Sequence, residues 1–317
     1  MVMSDSSISV IIPLYNKERE IAGTLRSVLA QTLRPKEIIV VDDGSTDRSA
    51  SIVDAVAAEE GRGLIRLVRQ PNAGECAARN RAIAEVGGGS DLVALLDADD
   101  EWEPGFLEEI ANLRREYPGC GIYSTGFKVI GHDGEFPAPG LDRRGVVDNF
   151  FRDSAHRYIS IPSASAIPCE VLDDVGGFPE GMKIGGDLYM WIKIARRWPV
   201  CFSPARLCRY SKVASNRSAA IYTPEACDCS FEALYDPAAP LEEREFIARA
   251  ALGKALVLSA KGGTEEAARA VRTFSFTRTY RRTLRKVRVL NALPVAWRTP
   301  VLNFYNRLAW LLAKKGL

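Results

Sequence analysis

Three carboxylates fall within four positions at Asp97-Ala98-Asp99-Asp100, directly after the apolar run Leu92-Val93-Ala94-Leu95-Leu96. Acids this close repel one another unless a cation or several donors neutralise them, and hard oxygen ligands suit Mg2+ or Mn2+. The same residues also suit an acidic turn ahead of a helix that carries Pro104 in its first turn. Two further polar clusters follow apolar runs in the same way: Pro13-Leu14-Tyr15-Asn16 after Ile8–Ile12, and Asp42-Asp43-Gly44-Ser45 after Glu37–Val41. Tyr15 offers a flat face on which a nucleobase can stack, and Asp43 can accept from a base or ribose donor. Pro71-Asn72-Ala73-Gly74 leads into Ala77-Ala78-Arg79-Asn80, which puts a cation near a helix start where an anion is already favoured.

The elements that must position these residues alternate through the first hundred positions. Ile8–Ile12 reads as a strand stopped by Pro13, and Ile21, Leu25, Val28 and Leu29 recur on one helix face. A second strand at Glu37–Val41, a helix through Ile52, Val53 and Val56, a third strand around Leu64–Val68 and a helix from Gly74 to Val86 lead to the strand at Leu92–Leu96. Such alternation implies a mostly parallel sheet, whose strand ends, and so the three clusters, share one edge. Beyond Gly105 the pattern loosens: a helix from Phe106 to about Tyr117, strands at Gly121–Ile130 and Pro162–Ile167, a turn at Gly176-Gly177-Phe178 and a helix at Asp187–Arg197. The segment Pro137–His156 is poorly patterned and reads as a mobile loop over the site. From about Pro224 onward the chain reads as helical throughout.

Four ordered motifs resemble those of family 2 glycosyltransferases: Ser9–Asn16, Val41–Asp47, Asn72-Ala73-Gly74 with Ala78-Arg79-Asn80, and Leu96–Asp100. The resemblance covers roughly residues 8–220. It implies a GT-A fold, Rossmann-like, with a mostly parallel central sheet flanked by helices, a nucleotide-sugar donor of the UDP type, a divalent metal and inversion at the anomeric carbon. It implies nucleotide-binding roles for Pro13, Tyr15, Asp43, Ser45, Asn72, Arg79, Asp97 and Asp99, with Asp99 and Asp97 holding Mn2+ or Mg2+. The catalytic base it implies is Asp187, after Gly176-Gly177-Phe178. The chain departs from the family at Gly186, where a Glu that helps bind the acceptor is usual, and at Arg209–Val213, which lacks the usual His; Lys212 and Arg217 are cations that could supply charge there. By position alone Asp187 reads as a helix cap; the motif order favours the base.

The implied organisation is a catalytic domain over 1–223 and a helical extension over 224–317. The implied reaction is sugar transfer to a hydroxyl of a glycan or lipid-linked acceptor in cell-surface polysaccharide synthesis. The rival reading is a lapsed nucleotide-sugar-binding or membrane-docking module. A nicotinamide dehydrogenase is disfavoured, because no Gly-x-Gly-x-x-Gly follows the first strand.

Charge is unevenly spread. After Glu266 the last 51 residues hold twelve Arg and Lys and no acid, which leaves 30 cations against 40 acids in the rest. Residues 278–315 mix this charge with Trp, Tyr, Phe and Leu, a composition suited to peripheral contact with anionic lipid. A solvated basic face on a packed helical appendage has the same composition. No nucleic-acid module is visible. Seven cysteines lack a regular framework, Cys227 and Cys229 have no second pair at zinc spacing, and the polar start carries no secretory pattern. A cytoplasmic location, at the membrane's cytoplasmic face, is the expectation.

Overall fold

The computed structural model describes residues 6–61, 63–215 and 229–314. The chain divides into two compact units, Met1–Ile221 and Tyr222–Leu317. The expected boundary at 223, and the expected contributions of Arg217 and Cys227, lie outside the described residues.

The first unit opens with the alternation that the apolar runs predict. Its elements are β1 (Ile8–Leu14), α1 (Ile21–Leu29), β2 (Glu37–Asp43), α2 (Ser49–Glu59), β3 (Ile65–Gln70), α3 (Glu75–Ala84) and β4 (Leu92–Leu95). β3, β2, β1 and β4 are neighbours in that order, and every pair among them is parallel. The apolar residues of β1, β2 and β4 are buried on both faces, with Val10, Ile11, Ile38, Val40 and Ala94 wholly enclosed, while those of the edge strand β3 are partly buried. Pro13 does not stop β1. It pairs with Val41, and Leu14 pairs with Asp42. The β4 ladder ends opposite Ile11, so at Pro13 the strand has a neighbour on one side only and a missing N–H is tolerated.

The remainder of this unit is β5 (Glu101–Trp102), α4 (Phe106–Glu116), β6 (Ile122–Gly131), β7 (Gly134–Pro137), β8 (Gly145–Val146), α5 (Phe150–Asp153), β9 (Ser165–Pro168), α6 (Cys169–Val175), α7 (Gly186–Ala195) and β10 (Val200–Ser211). β9 inserts antiparallel between β4 and β6, while β10 runs parallel to β6. The run at 162–167 is a strand only in its second half, because Pro162–Ala164 forms a single 3-10 turn.

Residues 137–156 differ from the mobile loop that their weak patterning suggests. Gly145 and Val146 pair with Phe202 and Cys201, and Ala138, Val147 and Phe150 are buried. Arg144 bonds Glu109 at 2.8 Å and also Glu116. The Asn149 side chain accepts from the Arg152 amide at 2.9 Å and caps α5. Isolated contacts of this kind leave no periodic trace in a sequence.

The second unit contains α8 (Leu241–Lys261), α9 (Thr264–Thr273), α10 (Arg281–Ala292) and α11 (Val295–Lys314). Among the described residues its helices begin at Leu241, and residues 231–234 are turns rather than the helix expected from about Pro224. Arg298 is buried and donates to the Ser259, Asn291 and Leu293 carbonyls, which ties α11 to the helices before it. Among the described residues no helix is long and apolar enough to cross a membrane.

Ile11 is wholly buried in β1 between two parallel neighbours. Ile11→Ala is expected to lower unfolding stability by about 2–5 kcal/mol, read from urea denaturation with an unchanged slope.

Candidate functional site

The three clusters meet at one sheet edge because β1, β2 and β4 are parallel. The loop after β1 is fastened onto the loop after β2. The Asn16 amide donates to Ser45 Oγ at 2.9 Å, Asn16 Oδ1 accepts from the Thr46 amide at 2.7 Å, and the Lys17 amide donates to Ser49 Oγ at 2.7 Å. Asn16 takes a left-handed φ of 51° to make this turn, a conformation that its short polar side chain tolerates. Tyr15 stands partly exposed just before it, and Pro13 is buried within β1.

Asp42 and Asp43 act within the protein. Asp42 Oδ1 accepts from the Ser45 amide at 3.0 Å. Asp43 is buried and accepts from the Gln70 side chain at 2.7 Å and from the Ala73 and Gly74 amides at 2.9 and 2.8 Å. It thereby holds the exposed Asn72 loop against the end of β2. Gly44 has φ of 75°, and a Cβ there would lie 2.8 Å from the Asn72 nitrogen, so only glycine lets the two loops approach.

α3 organises the rest. Glu75, Cys76, Arg79 and Asn80 fall on one helical face. Arg79 is 2% exposed and reaches Asp97 at 2.6 Å, pairs with Glu75, and lies 5.3 Å from the centre of the Phe178 ring. Its Nε is buried without a hydrogen-bond partner. Desolvation works against the Arg79 charge, but Glu75 and Asp97 outweigh it and hold the guanidinium protonated. On the Glu75 carboxyl the Arg79 charge acts downward, while desolvation and the Asp97 and Asp187 charges together raise it above its ordinary value. Asn80 donates to the Phe178 carbonyl and to Glu180, both at 2.9 Å, and accepts from the Phe178 amide at 2.7 Å. Gly177 is needed there, since its Cβ would lie 2.3 Å from Asn80 Oδ1.

The acids after β4 divide by role. Asp99 meets Lys17 Nζ at 2.8 Å, with both side chains partly buried. Asp100 is buried and inward, accepting from Ser163 Oγ at 2.5 Å and from the Ser211 amide at 2.8 Å. Burial, with Asp97 and Asp99 nearby, pushes its carboxyl well above the ordinary range. It braces the strand end, so Asp97 and Asp99 remain the acids available at the edge.

Asp187 lies in the first turn of α7, after Gly185 at φ of 80°. Desolvation raises its carboxyl above the ordinary range, against the pull of the Leu188 amide and of Arg79. It is electrostatically coupled to Asp97 and Glu75, which brings it to the same cluster as the strand-end acids. Gly186 packs on α3: a Cβ there would lie 2.4 Å from Cys76 Sγ, and that sulfur also contacts the Met182 carbonyl at 3.6 Å. The space of a side chain at 186 is thus taken by Cys76.

Among the described residues no group of three or more His, Cys, Asp or Glu is arranged to hold a metal ion. The donor set nonetheless fits a divalent cation shared with a ligand. Among the described residues Asp97 and Glu75 pair with Arg79 and Asp99 with Lys17, so the edge is rich in carboxylate oxygens, the hard donors a divalent cation takes. Mg2+ bound through one or two carboxylates plus substrate phosphates needs no full protein cage. Sequence reasoning did not single out Lys17, Glu75, Cys76 or Ser163. Glu75 and Cys76 flank the quoted motif on the face of Arg79, a helical spacing that was available as a signal; Ser163 had none.

The chain is similar to known glycosyltransferases. A family model described as glycosyl transferase family 2 matches residues 9–176. The chain is 34% identical over 157 residues to an undecaprenyl-phosphate 4-deoxy-4-formamido-L-arabinose transferase of Serratia proteamaculans, covering 49% of this chain and 42% of that one. The matched region spans about a third of the length of several other curated relatives. Among solved structures, TarS 1–349 of S. aureus in complex with UDP-GlcNAc superposes with a TM-score of 0.64 at 20% identity, over 95% of this chain and 92% of that one. A mannosyltransferase of Pyrobaculum calidifontis in complex with GDP-Man and Mn2+ gives 0.54 at 22% identity, over 92% and 87%. These two likenesses establish a shared GT-A fold.

Removing Arg79 leaves Asp97 and Glu75 without their common cation. Arg79→Met is expected to cost about 3–5 kcal/mol in urea denaturation. Asp187, Glu75 and Asp100 all have raised carboxyls, so the folded chain binds more protons than the unfolded chain above the ordinary carboxylate range. Their effect stabilises as pH falls from neutrality toward that range and is lost as pH rises through the folded values. Asp187→Asn should therefore stabilise the protein at neutral pH and flatten this slope, as measured by urea midpoints across that interval.

Proposed function

The chain belongs to glycosyltransferase family 2, and from that membership we propose that it moves a sugar from a UDP-linked donor to a hydroxyl of a glycan or lipid-linked acceptor, with inversion. Cell-surface polysaccharide assembly is the setting that this acceptor class implies. The observation that carries the reading is the convergence of Asp97, Asp99, Arg79 and Asp187 at the carboxyl edge of a parallel sheet, where ligands of such sheets bind. The UDP-GlcNAc carried by TarS supports the base assignment.

In this reading Tyr15 stacks on the base, and Asn72, on the loop that Asp43 holds, lines the nucleotide site with Pro13 and Ser45. Arg79, fixed from beneath by Asp97, supplies positive charge close to the donor phosphates. Asp99, with Asp97, would hold Mn2+ or Mg2+, which when bound supplies Lewis-acid charge to the leaving diphosphate. Asp187 takes the proton of the acceptor hydroxyl as its oxygen attacks the anomeric carbon from the face opposite the diphosphate. The sugar–phosphate bond breaks and its electron pair leaves with the diphosphate. A carboxyl raised above its ordinary value is the stronger base, which suits this role.

Gly186 favours a second reading, a donor-binding module without turnover, because Cys76 occupies the space of the acceptor-side carboxylate usual in the family. One variant separates the two. Asp187→Asn is expected to reduce transfer by about 10²–10⁴-fold while leaving thermal stabilisation by UDP and Mn2+ intact. Full transfer by the variant refutes the assignment of the base, and UDP binding without transfer by the unmodified protein favours the module.

In the same stabilisation assay UDP with Mn2+ should raise the melting temperature more than GDP, CMP or dTDP. Asp99→Ala should lose the metal-dependent part. A response to another nucleotide alone would reassign the donor.

A further inference from the structure

The second unit carries an open cationic groove of about 480 Å³ lined by Arg278, Arg281, Arg285 and Arg288 together with Phe276 and Leu284. Arg281, Arg285 and Arg288 recur at the spacing of one face of α10, and all are exposed. Among the described residues none of the four guanidiniums has an ion-pair partner. The nearby acid, Glu245, is engaged with Thr277 Oγ1 and the Arg278 amide. Around the helix this arc continues through Val289 and Arg282 to Lys286, while Leu284, Val287 and Leu290 fill the opposite, buried side.

A separate observation lies on α11. Trp297, Val301, Phe304 and Tyr305 follow at intervals of four, three and one, which places them on one face, and they are 66%, 38%, 70% and 45% exposed. Large apolar side chains are rarely left in water as a contiguous stripe. The stripe adjoins the cationic arc: Lys286 Nζ sits 4.2 Å from the centre of the Tyr305 ring. A cationic face and an aromatic face therefore form one surface.

We infer that this surface of α10 and α11 docks the protein on an anionic lipid bilayer, the arginines on phosphate headgroups and the Trp297–Phe304 stripe in the interfacial layer. A second copy of the chain is a poor occupant, since it would oppose the same arginines. Nucleic acid would answer the charge but not the apolar stripe. The inference is independent of glycosyl transfer and of any cation held by the first unit.

The full-length chain sedimented with phosphatidylcholine vesicles, with and without phosphatidylglycerol, tests it. Partition is expected only onto the anionic vesicles, weakening as salt rises. Replacing Arg281, Arg285 and Arg288 together by Ser should weaken it on the order of 100-fold. Trp297→Ser with Phe304→Ser should also release the protein, and the fluorescence blue shift on vesicle binding should diminish in Trp297→Phe. Circular dichroism and urea midpoints matching the parent show that the variants fold. No partition onto anionic vesicles, or equal partition onto neutral ones, overturns the inference. So does unchanged binding of the Trp297/Phe304 variant together with displacement of the parent by a short oligonucleotide, which would make the groove a general polyanion site.

Discussion

The guanidinium of Arg79 is the constraint on which the candidate site rests. A charge that is 2% exposed survives only if its neighbours neutralise it, and Asp97 from the end of β4 and Glu75 one helical turn back do so. The pairing fixes α3 against the strand end, while Phe178 closes over the cation and Asn80 holds the Phe178 loop. Three segments distant in sequence, at 75–80, 97 and 176–180, are thereby held in register around one buried charge.

That arrangement gathers carboxyl groups at one edge of the sheet. Glu75, Asp97 and Asp187 all act on Arg79, and desolvation raises the Asp187 carboxyl above its ordinary range. Asp100, inward and bonded to Ser163 and Ser211, adds rigidity to the same turn without adding to the exposed edge. The Cys76–Gly186 contact belongs to the same economy of space. Close packing of α7 on α3 brings Asp187 near Arg79, and the sulfur fills the volume that a side chain at 186 would need.

The two units divide charge between them. Every acid of the chain lies at or before Glu266, and the acids of the first unit are largely consumed by pairs such as Arg144–Glu109 and Arg79–Asp97. Among the described residues the arginines of α10 have no such partners, while Leu284, Val287 and Leu290 on its other side are buried. Folding thus satisfies the buried face of α10 and leaves its charge outward.

Much of this was legible in the residues themselves. Apolar runs followed by Asp, Asn or Gly announce β1, β2 and β4 together with their polar ends, since a strand buried on both faces must be apolar and its exit must be polar. The extent of the alternation fixed the parallel half of the sheet, and the ordered motifs named Asp43, Arg79, Asp97, Asp99 and Asp187. The tertiary structure alone decided what those residues touch. Asp43 proved to be engaged by the Asn72 loop, Asp100 by Ser163 and Ser211, and residues 137–156 by the sheet. Local sequence records periodicity and turn chemistry, which act over a few residues. It does not record which buried charge meets which partner 18 or 111 positions away, because that depends on packing and desolvation that exist only once the chain has closed around them.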